Sequence, residues 1–189
     1  MARVAYGRAA VARTVDAFGR IDVLVNSAGI STNAPFLEAT EAAFERVVQT
    51  DLKGTFFVGQ AVARQMVQQG AGAIVNVASQ SGAAYVRGLS AEYHAAKAAV
   101  IHLTRVMAVE LGPHGVRVNA IAPALMLTPL TRDRWDSQPA MREYHLGKLP
   151  LQRVGEPGDV VGPAVFLASG ESAFVTGHTL FVDGGYCAD

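Results

Sequence analysis

The sequence has a single cysteine, few aromatic residues and no excess of charge of either sign. Because Cys187 has no partner within the chain, a disulfide-stapled secreted domain is excluded, and a reducing compartment such as the cytoplasm is expected. The 16 basic and 16 acidic side chains balance to a net charge of zero, so no basic face is expected for nucleic acid or an anionic membrane. The apolar runs all fall short of the roughly 18 residues that cross a bilayer.

Alanine, valine and glycine are abundant instead, and half of the residues are hydrophobic. This composition is typical of helices packed closely on a sheet of small, β-branched strands. The length fits one domain, residues 1–189. Continuous apolar runs predict strands, and apolar residues three or four positions apart predict helices. The predicted strands are residues 21–26, 73–78, 116–122 and 179–183, and the predicted helices between them are residues 40–69, 90–111 and 159–169.

The order of these elements indicates an α/β fold. Helices alternate with strands, and each connection is long enough for a right-handed crossover, which predicts a Rossmann-like, doubly wound parallel sheet with helices on both faces. Before the first strand, apolar residues from Val4 to Val15 predict an amphipathic helix, although the arginines of this segment also resemble a mitochondrial transit peptide. Residues 123–157 show no regular pattern, and so long a loop predicts a lid or substrate loop.

Small residues cluster where three of the predicted strands end, at residues 26–29, 79–82 and 123–128. Ligands of a doubly wound sheet bind beyond the carboxyl ends of its strands. Small side chains and glycine allow a flat ligand to approach the main chain closely. Any one of these segments could be a simple turn, but their placement at successive strand ends favours a binding site.

Tyr93 and Lys97 lie four positions apart near the start of the helix predicted at residues 90–111, so their side chains lie on one face. A neighbouring ammonium favours the phenolate and lowers the pKa of a tyrosine, which makes the pair a candidate acid/base device. Such a pair is also common on helix surfaces. Ser79, which ends the preceding strand, can supply a hydroxyl that holds a substrate oxygen beside the phenol.

With these three residues, four short segments complete an order of motifs that resembles the short-chain dehydrogenase/reductase family. They are the segments Asn-Ser-Ala-Gly at residues 26–29, Arg-Val-Asn at 117–119, the proline-to-threonine stretch 123–128 and Val-Asp-Gly-Gly at 182–185. The resemblance implies a Rossmann-type oxidoreductase that moves hydride between NAD or NADP and a carbonyl or secondary alcohol. It implies that Tyr93 is the general acid/base, that Lys97 lowers its pKa and holds the nicotinamide ribose, and that Ser79 orients the substrate oxygen.

The same resemblance implies further contacts and an assembly. Cofactor contacts are implied for Asn26, Ala28, Gly29, Pro123, Ala124, Met126 and Thr128, besides Tyr93 and Lys97. In this assignment the Asn-Ser-Ala-Gly turn lies along the adenosine side of the cofactor, and Met126 and Thr128 meet the carboxamide of the nicotinamide. A homo-oligomer, dimer or tetramer, is implied through the two long helices.

The chain departs from the family pattern at three places. The family's first strand, its Thr-Gly-x-x-x-Gly-x-Gly turn and the residue that selects NAD or NADP are missing, so an N-terminally truncated fold with an exposed sheet edge is expected. Asp51 stands where the family has the asparagine of a catalytic tetrad, and an ionised carboxylate cannot donate a hydrogen bond. Either its main-chain carbonyl keeps a catalytic role, or Asp51 is a helix residue bent around a water. Ala124 replaces a glycine that the family carries after Pro123.

Two functions of different classes follow: an oxidoreductase of this family, or a non-catalytic assembly module built on the two long helices. Ser81 is a second candidate for the role of Ser79, and His94 is interpreted as a surface or subunit-contact residue. Trp135, Tyr144 and His145 either line a substrate site or anchor the loop that carries them. No metal-ligand motif occurs in the sequence, so no metal is expected.

Overall fold

The computed structural model describes residues 4–188, and the predicted domain, residues 1–189, extends beyond them only by residues 1–3 and 189. The strands are Val23–Asn26 (β1), Gly72–Val77 (β2), Val116–Pro123 (β3) and Thr179–Val182 (β4). The helices are Val4–Phe18 (α1), Glu41–Val47 (α2), Thr55–Gln69 (α3), Ala91–Leu111 (α4), Pro129–Ser137 (α5), Pro139–Gly147 (α6) and Pro157–Ala168 (α7). The sheet has the order β1-β2-β3-β4, with every pair of neighbours parallel. The predicted α/β, Rossmann-like fold is confirmed.

Helices cover both faces of the sheet. Successive residues of a strand point to opposite faces. Ile74 of β2 belongs to a cluster with Met66 of α3, against which Val11 of α1 also packs. The next residue, Val75, packs instead with Leu167 of α7. The sheet is therefore doubly wound, with α1, α3 and α4 on one face and α7 on the other.

Strand β1 lies at an edge of the described sheet. The continuous apolar run at residues 21–26 is typical of a strand buried on both faces, and that expectation is wrong for the face that carries α7 on the neighbouring strands. Val23 and Val25 are 41% and 48% exposed, because α7 packs mainly over β2, β3 and β4. The exposed edge expected from the family pattern is thus present in residues 4–188.

The helix predicted at residues 40–69 is interrupted. It consists of α2, a π-helical turn over Val48–Gly54 and α3. The hydroxyl of Thr55 donates to the main-chain carbonyl of Asp51, at 2.8 Å, and so pairs one of the carbonyls that the wider turn displaces. The apolar spacing continues through the turn, which is why periodicity predicts one helix here.

Residues 123–157 contain two helices that sequence analysis does not predict. Both α5 and α6 begin with a proline, Pro129 and Pro139, a residue that breaks helices in their interior but is favoured at their first position. Each helix is nine residues long, too short for a clear periodic pattern. The segment closes on itself where Leu127 N–H donates to the Gly155 carbonyl, at 2.8 Å, and Gly155 N–H donates to the Leu125 carbonyl, at 3.1 Å.

The Arg-Val-Asn segment of β3 holds the chain that follows α7. The guanidinium of Arg117 donates to the carbonyls of Leu167 and Ser169, at 3.0 and 2.9 Å, and to the hydroxyl of Ser172, at 2.7 Å. Nearby, the Asn119 amide donates to the Val175 carbonyl and accepts from His178 N–H. Because both side chains bond main-chain groups, this motif fixes the path from α7 into β4.

Replacing Arg117 with lysine should lower the free energy of unfolding by about 2 kcal/mol, because one ammonium cannot reach three acceptors spread over two turns of chain. Urea titration followed by circular dichroism measures this change. The control is Arg105→Lys, on the exposed side of α4, which should leave the midpoint unchanged. Equal midpoints for the two variants would contradict the role given to Arg117.

Candidate active site

Ser79, Tyr93 and Lys97 come together at the carboxyl end of the sheet. Ser79 follows β2, and Tyr93 and Lys97 lie in the first two turns of α4. The Ser79 hydroxyl lies close enough to the Tyr93 phenol to lower the pKa of the phenol. Its oxygen also accepts from the N–H of Ser81, at 3.2 Å. The structure therefore joins the serine and the tyrosine that the sequence places fourteen positions apart.

The ammonium of Lys97 is buried beneath the tyrosine. Its Nζ donates to the carbonyl of Val77, at 3.0 Å, and lies 3.4 Å from Oδ2 of Asp51. The same atom is 5.6 Å from the centre of the Tyr93 ring. Lys97 thus has a carboxylate, a carbonyl and an aromatic ring around its charge.

Asp51 reaches this position from the π-helical turn. Its side chain is fully buried, and its Oδ1 accepts from the N–H of Ile30 at 2.9 Å. Its main-chain carbonyl accepts from the Thr55 hydroxyl. The main-chain carbonyl thus bonds a side chain of the same helical segment, and the Asp51 side chain contacts Lys97 directly. Sequence analysis did not foresee this ion pair.

Burial is the largest influence on the pKa values of Tyr93, Lys97 and Asp51. It raises the pKa of Tyr93 above its usual value, an effect opposed by the hydrogen bond to Ser79 and reinforced by the Asp51 carboxylate. Burial also lowers the pKa of Lys97, and the Asp51 carboxylate opposes this effect. It raises the pKa of Asp51, and here Ile30 N–H and the Lys97 ammonium oppose it. The spacing of Tyr93 and Lys97 predicts a lowered pKa for Tyr93. In the structure this pKa is raised, because burial and the nearby Asp51 carboxylate both favour the neutral phenol.

The end of β1 is open to solvent and backs onto the ion pair. The amide of Asn26 turns inward and donates to Oδ1 of Asn76, at 2.9 Å, whereas Ala28 and Gly29 are exposed. A methyl group at Gly29 would lie 3.0 Å from Oδ2 of Asp51 and 3.2 Å from Nζ of Lys97. The missing side chain therefore leaves room for the ion pair, and the exposed main chain of Ala28 and Gly29 offers a surface that a flat group can reach, which fits the nicotinamide cofactor expected there.

The predicted contacts after β3 lie at the base of the α5–α6 segment. Pro123 ends β3, and Ala124 N–H donates to the Val182 carbonyl. Met126 pairs with Gly155 in a parallel bridge, and Thr128 caps α5. These residues lie at the carboxyl end of β3, on the edge of the sheet where β1 and β2 also end.

Two further residues of α4 tie loops to the site, and sequence analysis assigned neither of these contacts. Glu92 accepts from the Thr32 hydroxyl, sixty positions away, and so fixes the loop after β1. His94 accepts from Val86 N–H through Nε2, at 3.0 Å, and bonds the Ser90 carbonyl through Nδ1. No local spacing signals a partner as distant as Thr32, so only the folded chain reveals that contact.

A cavity of about 680 Å³ lies beside the residues that follow Ser79. Its lining includes Tyr85, Tyr144, Lys148 and Tyr186. Tyr144, one of three candidates for a substrate site, lines this cavity, whereas His145 is buried and Trp135 is half-buried outside the lining. Ser81, the second candidate for the role of Ser79, has a buried hydroxyl without a hydrogen-bond partner.

Within residues 4–188, no group of three or more histidine, cysteine, aspartate or glutamate side chains is placed to hold a metal ion. No helix in this part of the chain is long and apolar enough to span a membrane.

Comparison with known proteins agrees with the geometry. A family model described as enoyl-(acyl carrier protein) reductase matches residues 3–187. The (2S)-[(R)-hydroxy(phenyl)methyl]succinyl-CoA dehydrogenase subunit of Thauera aromatica is 42% identical over 93% of this chain and 68% of its own length. L-rhamnose 1-dehydrogenase (NAD(P)(+)) of Azotobacter vinelandii is 40% identical over 95% of this chain and 70% of its own.

A solved structure shows the same fold. The gluconate 5-dehydrogenase of Burkholderia cenocepacia, in complex with NADP and tartrate, superposes with a TM-score of 0.94 at 36% identity, over 100% of this chain and 73% of its own. The chain belongs to the short-chain dehydrogenase/reductase family. The predicted family, the class of NAD(P)-dependent oxidoreductases and the cofactor choice of NAD or NADP are confirmed.

For this short-chain dehydrogenase/reductase, Gly29→Ala should lower the free energy of unfolding by about 1–2 kcal/mol, because the new methyl group would press on the buried Asp51 and Lys97. Thermal unfolding measures this. The matched control is Gly158→Ala in the first turn of α7, where a methyl group would meet nothing within 4 Å and should not lower the free energy of unfolding. A Gly29 variant as stable as the control would show that the pair does not need the gap.

Proposed function

We propose that this protein transfers hydride between NAD or NADP and a small carbonyl or secondary alcohol, with Tyr93 as the general acid/base. The observation that carries the proposal is the meeting of Ser79, Tyr93 and Lys97 at the carboxyl end of the sheet. Family membership favours this function over the alternative of a non-catalytic assembly module.

Ser79 and Tyr93 have different roles at the substrate oxygen. Ser79 has a hydroxyl proton to donate while its oxygen accepts from Ser81 N–H, and Tyr93 presents a phenol beside it. In reduction, Ser79 orients the carbonyl oxygen and Tyr93 donates its proton to that oxygen as the alcohol forms. In oxidation, the phenolate takes the same proton back. When bound, NAD or NADP supplies or accepts the hydride at the substrate carbon.

The residues proposed to contact the cofactor follow the ends of two strands, β1 and β3. Ala28 and Gly29 offer exposed main chain after β1, with Asn26 holding the turn to the sheet. Pro123, Ala124, Met126 and Thr128 offer the corresponding surface after β3. Lys97, whose ammonium donates to the Val77 carbonyl at the end of the intervening strand β2, would hold the ribose hydroxyls.

Tyr93→Phe should lower kcat/KM at least about 100-fold, because the phenyl ring keeps the packing and loses the proton that is transferred. Nicotinamide absorbance measures turnover, with aldoses, sugar acids and simple ketones as substrates. Phe18→Leu, at the end of α1 where the side chain is 79% exposed, is the control and should retain activity. Turnover that persists in the Tyr93 variant would reject the proposal. So would a folded wild-type chain that binds neither NADH nor NADPH in calorimetric titration, a result that favours the assembly module.

The same proposal includes a homo-oligomer, dimer or tetramer, in a reducing compartment such as the cytoplasm. The lone Cys187 supports the compartment. Exposed apolar side chains on α3 and α4, such as Phe56 at 41% and Val109 at 77%, support an interface between copies. Light scattering should give two or four times the chain mass of 19.9 kDa, and Val109→Asp should shift the population toward the monomer. A monomeric wild-type protein would contradict the assembly.

A further inference from the structure

The buried pair of Asp51 and Lys97 sets this site apart from one built on a neutral amide. Asp51 is fully buried and Lys97 is 4% exposed, with their charged atoms 3.4 Å apart. Lys97 donates to the Val77 carbonyl on its other side. A lysine held in this way presents less net positive charge to a neighbouring phenol than an unpaired lysine would.

We propose that Asp51 is a positioning residue that acts through Lys97. Its carboxylate holds the ammonium against the Val77 carbonyl and offsets its charge, so that Tyr93 loses its proton only at a more alkaline pH than it would beside an unpaired lysine. This rests on the proposed function only in taking Tyr93 as the acid/base. Since reduction requires the protonated phenol, the pair keeps Tyr93 in the form that serves carbonyl reduction at neutral pH.

Among the described residues, three elements bring polar groups near the phenol of Tyr93. Lys97 approaches the Tyr93 ring from the same helix, α4. The Asp51 carboxylate comes from the π-helical turn, and the Ser79 hydroxyl comes from the end of β2. Glu92 is engaged with Thr32 and His94 with Val86 and Ser90, so both neighbours in sequence are bonded elsewhere. The Asp51 charge raises the pKa of Tyr93, in addition to the larger effect of burial.

The two ionisations can be followed without any cofactor by ¹³C NMR. Labelling tyrosine at Cζ and lysine at Cε gives few signals, because the chain has five tyrosines and three lysines. The Tyr93 signal is assigned by its loss in Tyr93→Phe. The Lys97 signal remains when Lys53→Arg and Lys148→Arg remove the other two lysines.

In Asp51→Asn, an isosteric variant that keeps an acceptor for Ile30 N–H, the midpoint of Tyr93 ionisation should fall by about one pH unit, and that of Lys97 should fall with it. Asp22→Asn removes an exposed carboxylate paired with Arg20 and should move neither midpoint. A Tyr93 midpoint that stays or rises in Asp51→Asn overturns the proposal.

Two further outcomes keep the test decisive. If Asp51→Asn fails to fold, Asp51→Ser, which also removes the carboxylate, takes its place: a Tyr93 midpoint below that of the wild type supports the proposal, and an equal or higher midpoint overturns it. If Asp51→Asn lowers the Tyr93 midpoint while Tyr93→Phe keeps its turnover, Asp51 acts as inferred and the proposed function is the part that fails.

Discussion

Lys97 carries a positive charge into a part of the molecule from which water is excluded, and the site is arranged around that charge. Removing an ion from water costs several kcal/mol unless other groups compensate. The compensation comes from Asp51 in the π-helical turn and from the Val77 carbonyl at the end of β2. The widened turn, the strand end and the first turns of α4 must therefore keep their mutual positions for the lysine to remain buried.

The loops of the site depend on the same arrangement. Asp51 uses its second oxygen to hold Ile30 N–H, so the segment after β1 is tied to the ion pair. Gly29, one residue earlier, leaves the space that the two charged atoms fill. On α4, Glu92 holds the same segment at Thr32. The surface proposed for the cofactor is thus set by buried electrostatics more than by the local preferences of its own residues.

The sheet and the Ser79, Tyr93 and Lys97 group could be predicted because each leaves a short-range pattern, an apolar strand or a fixed spacing. The π-helical turn could not, since apolar spacing continues unchanged through Asp51. Prolines concealed α5 and α6 because a proline that starts a helix looks the same in sequence as one that breaks it. The exposure of Val23 and Val25 depends on where α7 packs, which strand composition does not encode.

The two main-chain hydrogen bonds between residues 125–127 and Gly155 give the α5–α6 segment a narrow base. Everything between them can change in length or sequence while the ends stay fixed to each other beside β3. A segment tied at its base in this way can differ in sequence without moving the strand ends of the sheet. Exchange of that segment between relatives would graft at two positions that already lie side by side.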